Sequence, residues 1–233
     1  MRRTSVAGDY GYVSFGGDID AWQLASLSVS RRTERGSLIG RVNWANRFAT
    51  SGTQVEMDAY PRLTSRTYAY LNGGYSDASI FPKWRLGAEL YANLPRAWEA
   101  SIGFRQLRFG GSPVTLYTGT IARYVGNYWI SARPFVHFKD TGTSASLGLT
   151  ARRYFEDADR YVGATVSYGS SPSDRITPDA LERTNSFSAG IHGSAGLSER
   201  LLGTWAIGRD REELDAERIR NSLSVTAGLR FFF

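Results

Sequence analysis

Apolar and polar side chains alternate with a period of two along most of the chain. From Trp84 to Leu94 every even position is apolar, whereas the odd positions include Arg85 and Glu89. Residues 144–152 alternate in the same way. A helix would mix these two sets on one face, but a strand separates them onto opposite faces of a sheet. The pattern therefore predicts strands that have one apolar and one polar face.

Fourteen segments show this alternation, and most are about ten residues long, the length that a tilted strand needs to cross a bilayer. Strands of soluble proteins are typically shorter, at about five to six residues. An even number of strands also suits a bacterial barrel with both termini on one side. We therefore predict an all-β fold, a closed antiparallel transmembrane β-barrel of about 14 strands, with 12 or 16 as alternatives, in which residues 1–233 form a single domain. The segments lie at residues 5–15, 21–31, 37–49, 53–62, 66–76, 83–94, 97–109, 113–124, 127–138, 143–155, 159–169, 184–195, 199–209 and 220–233.

The connections between these segments are sorted by length. If the N-terminus is periplasmic, the odd-numbered connections face outward, and they include the two longest, residues 169–184 and 209–221. Most even-numbered connections are tight, although the one near residues 32–36 is longer and fits less well. Long loops on one side and tight turns on the other are typical of outer-membrane barrels. Residues 212–220 (EELDAERIR) additionally suggest a helical turn within their loop.

The C-terminal segment continues the alternation to its last residue. Leu229, Phe231 and Phe233 are apolar at every second position. A terminal aromatic residue of this kind resembles the signal that the barrel-assembly machinery reads in outer-membrane proteins. The alternative is an edge strand of a soluble sheet, but three consecutive Phe residues at such an edge would promote aggregation. We therefore assign Leu229, Phe231 and Phe233 as an assembly signal.

The composition agrees with a membrane barrel and excludes several other classes of protein. The mean hydropathy is −0.32, and no run of about 18 apolar residues predicts a membrane-spanning helix. The absence of cysteine excludes disulfides, thiol catalysis and cysteine-bound metals. The net charge of +6 is spread along the chain among Asp and Glu residues, so nucleic acid is not an expected partner.

The N-terminus does not have the pattern of a signal peptide. No apolar segment follows Arg2 and Arg3, whereas a signal peptide has one after its basic residues. Because outer-membrane proteins are exported with a signal peptide, we expect the native chain to have further residues upstream of Met1.

Six longer motifs are shared with one known family. They are EMDAYPR (56–62), YAYLNGGYS (68–76), FPKWRLGAELY (81–91), LYTGTIARYVGNY (116–128), RRYF (152–155) and YGSSP (168–172). In these motifs the chain resembles the YaiO family of outer-membrane barrels, well over residues 5–170 and more weakly beyond them. The resemblance implies an outer-membrane location. It also implies an association with glycosyltransferases or tetratrico-type repeats, which suggests export of an exopolysaccharide, but it supplies no agreed catalytic or binding site.

The polar face of the strands predicts a charged and aromatic lumen. One interpretation is that Arg pairs with Glu or Asp across the interior and rigidifies the wall. The other is that arginines and tyrosine rings line a path for an anionic or sugar polymer, because Arg forks onto carboxylates. The sequence leaves both open. The residues assigned to the lumen and to a polymer path are Arg41, Arg47, Glu56, Asp58, Tyr60, Arg66, Tyr68, Tyr70, Arg85, Glu89, Tyr91, Glu99, Arg105, Tyr117, Arg123, Arg133 and Arg152.

A catalytic or metal site is not indicated. His137 with nearby Asp140 is a minimal acid–base pair, and His192 lies among serines, but no complete catalytic set accompanies either histidine. Two distant histidines without cysteine also make a poor set of metal ligands. We therefore expect no enzyme activity and no cofactor.

The leading functional hypothesis is a passive conduit or scaffold for polysaccharide export in the bacterial outer membrane, with both termini periplasmic. Its expected partners are outer-membrane lipids and lipopolysaccharide, the barrel-assembly machinery, and polysaccharide with periplasmic export or glycosyltransferase components. A surface receptor that uses the loops at residues 170–183 and 210–220, for example for phage, is an alternative. An outer-membrane hydrolase is a third.

Overall fold

The computed structural model describes residues 3–47, 49–139, 142–171, 185–214 and 218–233. Within these ranges the chain forms fourteen strands and one short 3₁₀ helix, Pro95–Ala97. The strands are β1 (Arg3–Phe15), β2 (Trp22–Thr33), β3 (Gly36–Arg47), β4 (Thr50–Pro61), β5 (Thr67–Tyr75), β6 (Trp84–Leu94), β7 (Trp98–Arg108), β8 (Val114–Val125), β9 (Tyr128–Lys139), β10 (Gly142–Tyr154), β11 (Tyr161–Gly169), β12 (Asn185–Gly196), β13 (Leu201–Glu213) and β14 (Ile219–Phe232).

Each strand pairs antiparallel with its neighbours in sequence, and the first strand pairs with the last. Strands β1 and β14 are joined from Ser5↔Phe232 to Phe15↔Ser222, which closes the sheet into a barrel. The prediction of a closed antiparallel barrel with 14 strands is therefore confirmed. Within the described residues, no helix is long and apolar enough to cross a membrane.

The outer wall of the barrel is apolar, as the alternation predicted. At mid-height of β6 and β7, Leu90 and Ile102 are cross-strand partners, and their exposed fractions are 49% and 74%. The residue before Leu90, Glu89, faces the interior, and its side chain is fully buried. An exposed apolar surface of this extent is stable only in contact with lipid.

The longest connections lie at one end of the barrel, as the sequence indicated. We call the end of the barrel with the chain termini the terminus end and the opposite end the loop end. At the terminus end, β2 and β3 are joined by only two residues, Glu34 and Arg35, so the exception near residues 32–36 disappears. At the loop end, residues 172–184 lie outside the described residues.

Both ends of residues 212–220, where a helical turn was expected, are strands, and residues 215–217 lie outside the described residues. Strand β13 continues to Glu213 and β14 begins at Ile219, and Arg220 donates to Glu212 at 2.6 Å across the two strands. At these two ends, cross-strand pairing outweighs the helix propensity of the acidic and basic side chains. The proposed receptor loop at residues 210–220 is accordingly shorter than expected, since only residues 214–218 connect the strands.

The connection between β5 and β6, residues 76–83, turns into the barrel at the loop end. Its Ile80 and Phe81 are buried and pack with Ala45, and Leu24 packs against the same cluster. The segment is held by the Ser76 hydroxyl, which donates to the carbonyl of Thr53 at 2.6 Å. We call residues 76–83 the inward segment; it gives the loop end an apolar interior.

Candidate functional site

The barrel interior contains a cavity of about 990 Å³ that is lined by inward-facing side chains from most of the strands. Its lining is mostly polar, and the charged side chains lie mainly on β3 to β9. The other strands contribute chiefly serine, threonine and glycine. The two halves of the wall therefore differ in chemistry.

Two arginines and two carboxylates pair on β3, β4 and β6. Arg41 donates to Glu56 at 3.0 Å and to Asp58 at 3.2 Å. Arg85 reaches the other oxygen of Glu56 at 2.8 Å and donates through Nε to the Asn72 amide oxygen at 2.9 Å. Because Glu56 and Asp58 are almost fully buried, these contacts supply the counter-charge that buried carboxylates require.

A second network surrounds Glu89 on β6. Arg105 and Arg133 approach the same carboxylate oxygen at 2.7 and 3.0 Å, and the Ser101 hydroxyl donates to the other oxygen at 2.5 Å. Arg133 also donates to the hydroxyl of Tyr91 at 2.8 Å. Since Arg133 lies on β9 and Glu89 on β6, this contact braces the wall across two intervening strands.

Aromatic side chains connect and extend the two networks. The Arg105 guanidinium lies 4.6 Å from the ring centroid of Tyr70, a cation–π distance. Tyr68 stacks on Tyr91 with 4.6 Å between the ring centroids and donates its hydroxyl to Glu99 at 3.0 Å. We call the combined set the charged belt; its ionic members are Arg41, Arg85, Arg105, Arg133, Glu56, Asp58, Glu89 and Glu99, four cations and four anions.

The opposite wall is formed by small hydroxyl side chains. Thr150 and Thr165 are hydrogen-bonded to each other at 3.0 Å across β10 and β11. Asp9 is a carboxylate on this side, and it accepts from Thr204 at 3.0 Å and from Ser26 at 3.4 Å. These small side chains line this half of the lumen with hydroxyl groups that can donate and accept hydrogen bonds.

Two further arginines of the lumen contact aromatic rings. Arg47 lies over Trp22 and Phe81 at 5.3 and 5.6 Å from their centroids. Arg152 lies over Trp129 at 5.3 Å and over Tyr161 at 5.0 Å. Arg47 is near the loop end of the cavity and Arg152 is near the terminus end.

Fourteen of the seventeen residues assigned to the lumen face the interior. They come together as the charged belt, its tyrosines, and the two arginines that contact rings. Whether a polymer passes over them stays a prediction. The inward-facing residues are Arg41, Arg47, Glu56, Asp58, Tyr60, Tyr68, Tyr70, Arg85, Glu89, Tyr91, Glu99, Arg105, Arg133 and Arg152.

Three assigned residues lie elsewhere. Tyr117 is 50% exposed on the outer face of β8, because its neighbours Leu116 and Thr118 are the buried, inward-facing positions. Arg123 shares this outer face and lies over the ring of Trp98 at 5.2 Å, a typical arrangement at a bilayer interface.

Arg66 is exposed in the turn between β4 and β5 and does not belong to a strand. The turn is fixed by the Thr64 hydroxyl, which accepts from the amides of Arg66 at 3.1 Å and Thr67 at 3.0 Å. Hydrogen bonds of this kind, from backbone amides to a nearby side chain, favour a turn over a strand. Arg66 therefore lies in the connection and not on the barrel wall.

The three residues assigned as an assembly signal lie on the outer face of β14 or at its end. Phe231 and Phe233 project outward with their rings in edge contact at 5.0 Å between centroids, and Leu229 shares that outer face at 52% exposure.

The histidine proposed for an acid–base pair contacts the backbone. His137 Nδ1 lies 2.9 Å from the carbonyl oxygen of Thr115. Its proposed partner Asp140 lies outside the described residues. No cluster of potential metal ligands occurs in the part of the chain that the structure describes.

The sequence prediction missed several residues of the lumen. Asn72 and Ser101 complete the ion-pair networks, Trp129 lies beside Arg152, and Phe81 belongs to the inward segment. The first three lie at inward positions of their strands and were available to the period-two pattern. Phe81 lies in a connection, where alternation gives no information.

Comparison with known proteins agrees with this architecture. A family model described as the YaiO membrane beta barrel domain matches residues 3–174. No curated protein matches the chain.

Several solved structures share the fold at low sequence identity. One described as a bacterial polysaccharide outer membrane secretin has a TM-score of 0.64 and 9% identity, covering 100% of this chain and 98% of that one. The Acinetobacter baumannii outer membrane protein Omp33 has a TM-score of 0.57 and 11% identity, covering 99% and 98%. An anion-selective porin from Comamonas acidovorans has a TM-score of 0.52 and 10% identity, covering 100% and 99%. At these identities the likeness concerns the fold alone.

Proposed function

Because the chain belongs to the YaiO family of membrane β-barrels, we propose that it is an outer-membrane conduit through which a polysaccharide is exported. The observation that carries this proposal is the cavity of about 990 Å³, with ion pairs and aromatic rings on one side and hydroxyl groups on the other. A sugar chain presents both hydroxyl groups and apolar C–H faces. Hydroxyl and charged groups of the lumen can form hydrogen bonds with the sugar hydroxyls, and the aromatic rings can pack against the C–H faces.

The proposed orientation places both termini in the periplasm and the loop end at the cell surface. Outer-membrane barrels have short periplasmic turns and longer external loops, and the sorting of connections agrees with this arrangement. The proposed partners are outer-membrane lipids and lipopolysaccharide around the wall, the barrel-assembly machinery, and periplasmic export or glycosyltransferase components at the terminus end. An exported polymer would enter near Arg152 and leave past the inward segment.

The inward segment narrows the proposed exit. Phe81 lines the cavity, and it packs with Ile80 and Ala45 as an apolar patch in a lumen that most of the lining residues make polar. A narrow apolar stretch of a pore disfavours water and ions. We therefore expect the unaltered barrel to conduct small ions weakly and its conductance to be limited at this point.

Planar-bilayer recording of the purified barrel tests the conduit. The double variant Ile80→Ser, Phe81→Ser is expected to raise the single-channel conductance, because it replaces the apolar patch by smaller polar side chains. The matched control is Phe138→Ser at the loop end, since Phe138 is 64% exposed on the outer wall and its loss leaves the lumen unchanged. A barrel that stays closed to ions in both the unaltered and the double-variant forms would contradict the proposed conduit.

A further inference from the structure

We propose that Arg152 and the aromatic rings around it form a subsite for a sugar that carries a carboxylate, such as a uronic acid unit. This inference deepens the proposed function and rests on it, because it names the chemical class of the glycan. The subsite lies near the terminus end of the lumen, where an exported chain would enter.

The subsite is a row of register partners across five neighbouring strands. Tyr124 on β8 is opposite Trp129 on β9, and Trp129 is opposite Arg152 on β10. Arg152 is opposite Gly163 on β11, which in turn is opposite His192 on β12. Direct cross-strand partners lie about 4.5–5.5 Å apart, so the row forms one continuous patch of wall.

Arg152 differs from the arginines of the charged belt in having no counter-charge. Arg41, Arg85, Arg105 and Arg133 each pair with a carboxylate at 3.2 Å or less. Among the described residues, no carboxylate lies within 4.0 Å of Arg152 and no side-chain hydrogen bond satisfies its guanidinium. Its Nε atom is covered and without a hydrogen-bond partner, while the side chain lines the cavity. A guanidinium in this setting binds an external anion without first breaking an internal ion pair.

Glycine at position 163 creates the space for this arrangement. A Cβ atom there would lie 2.9 Å from Cγ of Arg152 and 2.8 Å from Nε2 of His192, closer than side chains normally approach. The absence of a side chain lets Arg152 and His192 lie side by side against the wall. Substitution of Gly163 would therefore displace the arginine.

The rings restrict the orientation of the guanidinium and offer a surface for the sugar. Trp129 and Tyr161 lie 5.3 and 5.0 Å from the Arg152 guanidinium carbon, and Tyr154 is 5.9 Å from Tyr161 between centroids. A planar guanidinium held in this way donates two parallel hydrogen bonds to a carboxylate. Neighbouring aromatic faces accept the apolar side of a pyranose ring. The combination favours an acidic sugar over a simple anion, which has no such face, and over a neutral sugar, which has no charge.

Isothermal titration calorimetry on the whole barrel in detergent tests the subsite with three named probes: trigalacturonate, maltotriose and acetate. The unaltered protein is expected to bind trigalacturonate more tightly than either other probe. Arg152→Gln is expected to weaken trigalacturonate binding by about tenfold or more, the value of a charge-assisted bidentate contact. Arg152→Lys, which keeps the charge but loses the fork, is expected to weaken it by a smaller factor.

Arg153→Gln is the matched control, because Arg153 is the next residue in sequence, lies on the outer wall and also contacts aromatic rings. Heat-modifiable gel mobility establishes that each variant is a folded barrel, and Arg152→Lys provides the test if Arg152→Gln does not fold. Equal affinity of the unaltered protein for trigalacturonate and maltotriose, or equal effects of Arg152→Gln and Arg153→Gln, would overturn the subsite. These outcomes are distinct from failure of the conduit, which is a barrel closed to ions even in the Ile80→Ser, Phe81→Ser variant and is measured without any sugar probe.

Discussion

Individual arginines of the lumen have two kinds of environment, and the sequence does not distinguish them. Alternation placed Arg85, Arg133 and Arg152 on the inner face, where the structure also has them. The alternation does not show which arginines form ion pairs. Arg133, for example, pairs with Glu89, which lies 44 residues away in sequence and on the far side of two intervening strands. Pairing of that kind depends on barrel curvature and side-chain length.

Errors at the residue scale occur where both faces of a strand carry similar side chains. On β8, the inward positions include Leu116, and the outward positions include Tyr117 and Arg123. In most strands of this barrel the apolar side chains face the lipid and the polar ones face the lumen. Strand β8 departs from this rule at Leu116, which faces inward and packs against Leu107. The alternation was therefore detected, but its phase was assigned wrongly.

The buried carboxylate of Glu89 provides the residue-scale prediction. Glu89→Gln leaves Arg105 and Arg133 beside a neutral side chain, and we expect it to lower the free energy of unfolding by about 3–5 kcal/mol. Urea unfolding in lipid vesicles measures this change. The control is Glu156→Gln, which removes the exposed partner of Arg160 and is expected to cost at most about 1 kcal/mol. Equal losses in the two variants would show that the Glu89 network stabilises the barrel no more than a surface ion pair.

Whole strands were predicted more reliably than the connections between them. All fourteen segments correspond to strands, because lipid outside and polar solvent inside impose one rule on every strand. Connections are not subject to that rule. The inward segment at residues 76–83 is defined by burial of Ile80 and Phe81 against Ala45, a tertiary contact with no local signal in the sequence.

The lipid-facing side of a strand gives the first prediction at the scale of elements. Ile102→Arg places a charge at mid-height of the outer face of β7, and we expect it to lower the free energy of unfolding in vesicles by about 2–4 kcal/mol. Ser167→Arg is the comparison, because Ser167 lines the polar cavity and an added charge there stays in water. A larger loss for Ser167→Arg than for Ile102→Arg would contradict the assignment of the two faces.

The C-terminal strand gives the second prediction at this scale. If Phe233 belongs to an assembly signal, Phe233→Ala slows insertion in cells, and unfolded chain accumulates relative to the heat-modifiable barrel on gels. The matched control is Phe187→Ala, which removes another outward-facing phenylalanine, 46% exposed on β12. The same accumulation in both variants would show that only apolar surface was lost and that the terminal position carries no special information.

At the scale of the whole molecule, the barrel is a wall of two unlike halves. Strands β3 to β9 are braced by the charged belt, whereas the remaining strands contribute mainly hydroxyl groups, with Arg152 near the terminus end. The sequence predicted a charged lumen but not this division, because some ion pairs of the charged belt join strands that are not neighbours in the ring, such as β6 and β9. The rigid half supports the proposed pore, and the unpaired arginine lies at the border of the other half.

The pairing of β1 with β14 has a consequence for biogenesis. The seam joins residues more than 200 positions apart through eleven register pairs, so the ring is completed only when nearly the whole polypeptide is present. An interrupted translation product, lacking residues 219–233, retains two unsatisfied sheet edges that invite aggregation. Such fragments would remain substrates for periplasmic chaperones and proteases, which makes ring closure a checkpoint on full-length synthesis.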